Sequence, residues 1–322
     1  MKLCAAAVFA ALVLLMTAPS LSAAERIFAV NQDDATISVI DASTASPVAS
    51  IAVQPGPAAI AVSAGTGRGY VTHPEKGWIS IIDTVSLKPM GVLAVGGTPF
   101  GIAYYPPGRV LVTDWNQNCV RVIDSSTAEE VARIAVGRSP AGIAIDAAKR
   151  RAYVANRESN TVSVLDLGRS AVIATIAVGL APFAIAVSKD GAKVAVANVR
   201  DGSVTLIDPV HLVAQASIKS GAMPYGLTFS NDGQWLYAAN QLAGTISIID
   251  AGMMQVQRTV KVGRYPEGLS LSPSGHRVYI ANWFSNDISV VDTESGVEIG
   301  RIKVGKGPRA ILDLTDAAYA KQ

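Results

Sequence analysis

Cysteine is almost missing from this chain. There are two; Cys4 lies ahead of an apolar N-terminal run and would leave with it, and a single remaining thiol, Cys119, cannot close an internal disulfide. An oxidising compartment is therefore tolerated rather than exploited. Histidine is scarce too, and His73, His211 and His276 fall in three different kinds of loop, which argues against convergence on one metal. No cysteine pair has haem-attachment spacing, no Walker or dinucleotide-type glycine motif occurs, and Gly-x-Ser-x-Gly is missing. No cofactor is implied. Neither sign of charge dominates, with 27 Lys and Arg against 25 Asp and Glu. That balance gives no support to nucleic acid as a partner, although a local basic patch would not be visible in the total.

Long hydrophobic runs are also lacking. The N-terminal apolar run Ala5 to Met16 is 12 residues, short of the roughly 20 that span a bilayer. Lys2 precedes it, Pro19 and Ser20 interrupt the chain soon after Met16, and Ser22-Ala23-Ala24 offers small residues for cleavage. Residues 1–24 therefore read as a secretory signal peptide cut after Ala23 or Ala24. The expectation is a periplasmic or secreted chain of residues 25–322 with no transmembrane segment after signal removal.

Repetition, by contrast, is abundant. A strand closing on aspartate, Thr36-Ile37-Ser38-Val39-Ile40-Asp41, recurs with Asp83, Asp124, Asp166, Asp208, Asp250 and Asp292, at spacings of 42, 41, 42, 42, 42 and 42 residues. A proline before an apolar strand keeps the same spacings: Pro57, Pro99, Pro140, Pro182, Pro224, Pro266 and Pro308. Each unit holds four short β-branched runs separated by turn residues, as in Ala184–Val187, Val194–Asn198 and Ser203–Asp208, with a fourth such as Val172 to Val178. Four antiparallel strands in about 42 residues match a propeller blade. The chain opens with the second, third and fourth strands of a unit and ends with a lone first strand, Ala310 to Leu314. The expected fold is an all-β, seven-bladed propeller whose C-terminal strand joins the N-terminal three to close the ring.

The second strands read Gly69-Tyr70-Val71-Thr72, Ala152-Tyr153-Val154-Ala155-Asn156, Leu236-Tyr237-Ala238-Ala239-Asn240 and Val278-Tyr279-Ile280-Ala281-Asn282. With the Val/Ile/Leu-Asp strand that comes after each, this closely resembles the YVTN-repeat propeller family over residues 25 to 322. The resemblance implies a fold more than an activity. Similar chains include exported and surface-layer proteins, accessory proteins beside quinone-cofactor dehydrogenases, the propeller subunit of amine dehydrogenases, and a periplasmic binder of single-stranded DNA.

Ligands of propellers commonly sit at the mouth of the central channel, so departures from the repeat at that face are the candidate site. The column ending the second strand reads Asn31, His73, Asp114, Asn156, Asn198, Asn240 and Asn282. Asparagine there suits strand-to-loop turns. His73 with Asp114 is either a proton-transfer couple or a pair of substitute turn residues. The next column adds Trp115, Arg157 and Trp283, and the residues after the repeat prolines are Ala58, Phe100, Ala141, Phe183, Tyr225, Glu267 and Arg309. Aromatic rings beside Arg157 and Arg309 could hold an anionic or aromatic ligand, or could simply be packing.

Three functions stand as alternatives. The leading one is a non-catalytic, monomeric scaffold for a small ligand or a periplasmic protein partner; its most specific version places the chain beside a quinoprotein oxidation system. The second is a lyase or amine-dehydrogenase-like subunit using His73, Asp114 and Glu267. Single-stranded nucleic-acid binding through the Trp/Phe/Arg face is the third. Cys119 and Arg121 depart from their columns as well, and are read as strand-edge side chains.

Overall fold

The structure, a computed structural model, describes residues 25–63 and 65–315; the expected signal peptide lies outside the described residues. Short strands rich in Val, Ile and Tyr, with the third strands ended by Asp and most second strands by Asn, give 28 strands in seven four-stranded antiparallel sheets. The helical content among the described residues is one turn of 3-10 helix, Trp283–Ser285.

The sheets are the blades of a ring. Blade 1 is composite: Pro308–Thr315 pairs antiparallel with Glu25–Asn31, followed by Thr36–Asp41 and Ser46–Ala52. Arg26 to Asn31 lie opposite Leu314 to Pro308, so backbone hydrogen bonds between the two ends of the propeller close it. Blades 2 to 7 follow in chain order, beginning with Ile60–Ser63, Pro99–Tyr105, Pro140–Asp146, Pro182–Val187, Pro224–Phe229 and Pro266–Leu271. Expected strand ends hold to within one or two residues; the fourth strand of blade 4, for example, is Ala171–Ala177.

The core lies between the blades. Seven clusters of buried apolar side chains each join neighbouring blades, one for every seam of the ring. The repeated tyrosine fills this space, with Tyr70, Tyr153, Tyr237 and Tyr279 buried against the following blade. Each such ring removes a large apolar area from water.

First strands surround the axis, and glycine lets them approach there. A Cβ on Gly101, Gly142, Gly226 or Gly268 would overlap a backbone carbonyl of the next blade's first strand. The channel is correspondingly narrow. The loops leading into first strands and those joining second to third strands gather at one mouth of this channel, and the remaining loops at the other.

Candidate functional site

Six of the seven repeat prolines open a first strand, Pro57 lying three residues ahead of Ile60–Ser63, and the residue after the proline stands at the channel mouth. Phe100, Phe183, Tyr225, Glu267 and Arg309 thereby meet around a cavity of about 210 Å³ on the axis. The rings are in contact in series: Trp115 to Phe100 at 5.1 Å, Phe100 to Phe183 at 5.5 Å and nearly edge-on, Phe183 to Tyr225 at 4.1 Å between centroids. The Arg309 guanidinium lies 5.2 Å from the Phe100 ring centre and 5.7 Å from that of Trp283, and the Arg157 guanidinium lies 5.8 Å from Trp115.

Arg309 is the hub. Its Nη2 donates to the Tyr225 hydroxyl (2.7 Å), its Nη1 donates to Gln32 Oε1 (3.1 Å), and its Nε faces Glu267 Oε2 at 3.5 Å. Gln241 Nε2 donates to the other Glu267 oxygen at 2.6 Å. Burial pushes the Glu267 carboxyl up to about 7, against the pull of Arg309 and Gln241, and nearby Asp33 adds to the rise. Burial likewise holds the Tyr225 phenol well above its ordinary value. Below neutrality the cluster holds a cation facing a neutral acid; above it, the two form an ion pair.

Of the residues expected at this site, Trp115, Arg157, Tyr225, Glu267, Trp283 and Arg309 come together. His73 and Asp114 do not join them. Both side chains are fully buried within their own blades. His73 Nε2 is 2.8 Å from Ser80 Oγ and Nδ1 is 3.1 Å from the Pro55 carbonyl, and burial lowers the imidazole pKa. The asparagines of the column do the same job: Asn156, for instance, donates to Thr161 (3.1 Å) and Ser163 (2.9 Å) of the third strand. Asp114 instead accepts from Arg121 Nη2 and Nε at 2.8 and 3.0 Å. Arg121, expected at an edge with its head in water, is 4% exposed and also donates to Glu130 (2.9 Å) and the Val95 carbonyl (2.9 Å). Cys119 is buried, and burial raises its thiol pKa, so it is a packing residue rather than a nucleophile.

Gln32 and Gln241 belong to the site too, although sequence reasoning missed them. They occupy the same column as Trp115, Arg157 and Trp283, so reading that column in full would have found them. Among the described residues no three His, Cys, Asp or Glu side chains group as a metal site, and no helix is long and apolar enough to cross a membrane.

A ring of seven blades with a polar cluster at its axial mouth defines the class: a seven-bladed β-propeller. Comparison with known proteins agrees on the fold. A family model described as YNCE-like beta-propeller matches residues 143–243, and one described as Lactonase, 7-bladed beta-propeller matches residues 212–303. No curated protein matches the chain. Among solved structures, Kuenenia stuttgartiensis hydrazine synthase is similar with a TM-score of 0.73 and 19% identity, over 82% of this chain and 96% of that one. A functionally unknown protein from Desulfotomaculum acetoxidans gives 0.79 and 14% identity over 90% and 99% of the two chains. The dihydro-heme d1 dehydrogenase NirN, solved in complex with DHE, gives 0.69 and 14% over 95% and 78%. At these identities the likeness is one of fold.

Proposed function

We propose that this chain is an exported, non-catalytic propeller of the YVTN-repeat type whose channel mouth binds a small anionic ligand with a planar body. The observation that carries this reading is Arg309, set near the Phe100 and Trp283 rings and facing the Glu267 carboxyl, whose burial raises its pKa. Guanidinium flanked by aromatic faces suits a carboxylate attached to a ring. The cavity of about 210 Å³ limits the bound part to about the size of one ring.

His73 and Asp114, on which proton transfer would depend, are sealed inside their blades, which favours binding over catalysis. The loop cations are partly compensated, because Arg157 and Arg200 both face Glu158 and Arg138 donates to its carbonyl. That favours a small ligand over a polyanion. One of the similar solved proteins is named as a dehydrogenase, in line with a place for the scaffold beside an exported oxidation system.

Native mass spectrometry of the mature protein, purified from its own host without added ligand, tests the reading. The expected result is a retained small acid in the wild type that is missing from a folded Arg309→Met variant. A bare wild-type chain, or equal retention in the variant, would contradict it.

A further inference from the structure

On the face opposite the channel mouth, side chains fasten one blade to the next. An arginine opening the second strand crosses four seams: Arg26 donates to the Thr84 carbonyl (3.5 Å), Arg68 to Ser125 (3.3 Å), Arg151 to Pro209 (2.6 Å) and Arg277 to Ala42 (3.1 Å). Loops joining first to second strands add Lys149 on the Gly191 carbonyl, Lys193 on Gly233 (3.0 Å) and Asn231 on Pro273 (3.2 Å). Six of the seven seams carry at least one such bond.

Among the described residues, the seam between blades 3 and 4 has none, and three departures from the repeat coincide there. Arg109, the residue equivalent to Arg26 and Arg68, turns back to pair with Asp124 of its own blade. The loop between the first and second strands of blade 3 is one residue short, which accounts for the lone spacing of 41. Leu111 replaces the tyrosine or phenylalanine that fills the equivalent space between five other pairs of blades. Each change removes bulk or a tie from the same place.

The result is a crevice of about 930 Å³, within the range of roughly 300–1,000 Å³ typical of ligand pockets. Val122, Ile134 and Leu167 form an apolar floor, and the rim carries Arg68, Arg109 and Arg150 against Asp124, with Asp166 beside Arg150 just outside the lining. Arg109 remains 40% exposed in its side chain despite the ion pair. The balance of charge leaves the crevice cationic over an apolar base.

We propose that this crevice is a second binding site, for a small amphiphilic monoanion whose acid group pairs with Arg109 and Arg150 while its apolar body lies along the seam. Guanidinium groups match carboxylate or sulfonate geometry, and a floor of aliphatic side chains rewards an alkyl or aryl body. The crevice is independent of the channel mouth, which lies at the other ends of the strands.

The test uses anilinonaphthalene sulfonate as a fluorescent probe and decanoate as competitor. We expect saturable enhancement at one site per chain, displaced by decanoate but not by decanol. Arg109→Gln with Arg150→Gln should weaken the probe by about tenfold or more, and Ala132→Trp, which fills the crevice, should abolish binding. Arg309→Met at the opposite mouth should leave it unchanged. Equal displacement by decanol, or full binding in the arginine pair variant, would overturn the proposal. So would loss of the probe in Arg309→Met alone. Thermal unfolding confirms that each variant is folded, and if Ala132→Trp is not, the arginine variant decides the matter.

Discussion

At position 114 an aspartate stands where five blades carry asparagine, and at position 121 an arginine stands where the other six blades carry serine or threonine. The two departures are one substitution. Register places residue 121 seven positions after 114, as Ser163 is after Asn156, so a neutral side-chain hydrogen bond has become a buried ion pair. Removing only the cation leaves Asp114 charged and out of water, which costs about 3–5 kcal/mol. Arg121→Ser is therefore expected to lower stability to urea by that order. Adding Asp114→Asn, which restores the pairing used by the other blades, should recover most of the loss. A single variant as stable as the wild type would refute this. Both positions were visible as exceptions in the sequence, but their coupling was not, since column comparison reads one position at a time. Gln32 and Gln241 stand in a column that could have been read in full, but their partners could not: Gln32 meets Arg309 within the composite blade, and Gln241 meets Glu267 of the neighbouring blade.

Strands and turns were legible because two independent markers stay in step through seven repeats, and because the tyrosine, the closing aspartate and the proline each have a local physical task. The composite blade followed from phase alone: three strands at one end and one at the other can complete a blade only together. Pro308–Thr315 contributes Ile311 to the core shared by blades 1 and 7, and its partner Glu25–Asn31 contributes Ile27 and Ala29. Removing residues 308–322 should therefore open the ring and replace one cooperative thermal transition with a broad, non-cooperative one. An unchanged transition would contradict closure by this strand. Less legible was the seam between blades 3 and 4. The spacing of 41 marked blade 3 as short, yet a missing residue reads as harmless until Leu111 and the turned Arg109 are seen to widen the same gap.

For the molecule as a whole, a rigid ring with its core distributed over seven seams leaves both ends of the channel free to diverge from the repeat. At one end Tyr225, Glu267, Trp283 and Arg309 meet although they come from three blades and lie up to 84 residues apart; no local pattern could announce that meeting, only the closed ring. The central claim is that this meeting forms a site for an aromatic anion. It is tested most directly by tryptophan fluorescence titration with benzoate and with benzyl alcohol, its neutral counterpart, from about pH 5.5 to about pH 8.5. Benzoate stays ionised over this range, so changes in affinity report the protein. Glu267, with its carboxyl pushed up to about 7, is neutral at the lower end and leaves Arg309 to the ligand; as pH rises through that value it ionises, pairs with Arg309 and repels the anion. Benzoate should bind saturably and benzyl alcohol should not, with benzoate affinity weakening as pH rises through about 7 and the pH dependence removed in Glu267→Gln. In Arg309→Met affinity should fall about tenfold to a hundredfold, as loss of a charged hydrogen bond worth about 1.5–3 kcal/mol requires. Equal binding of the alcohol, or an Arg309→Met variant that binds benzoate like the wild type, would contradict it.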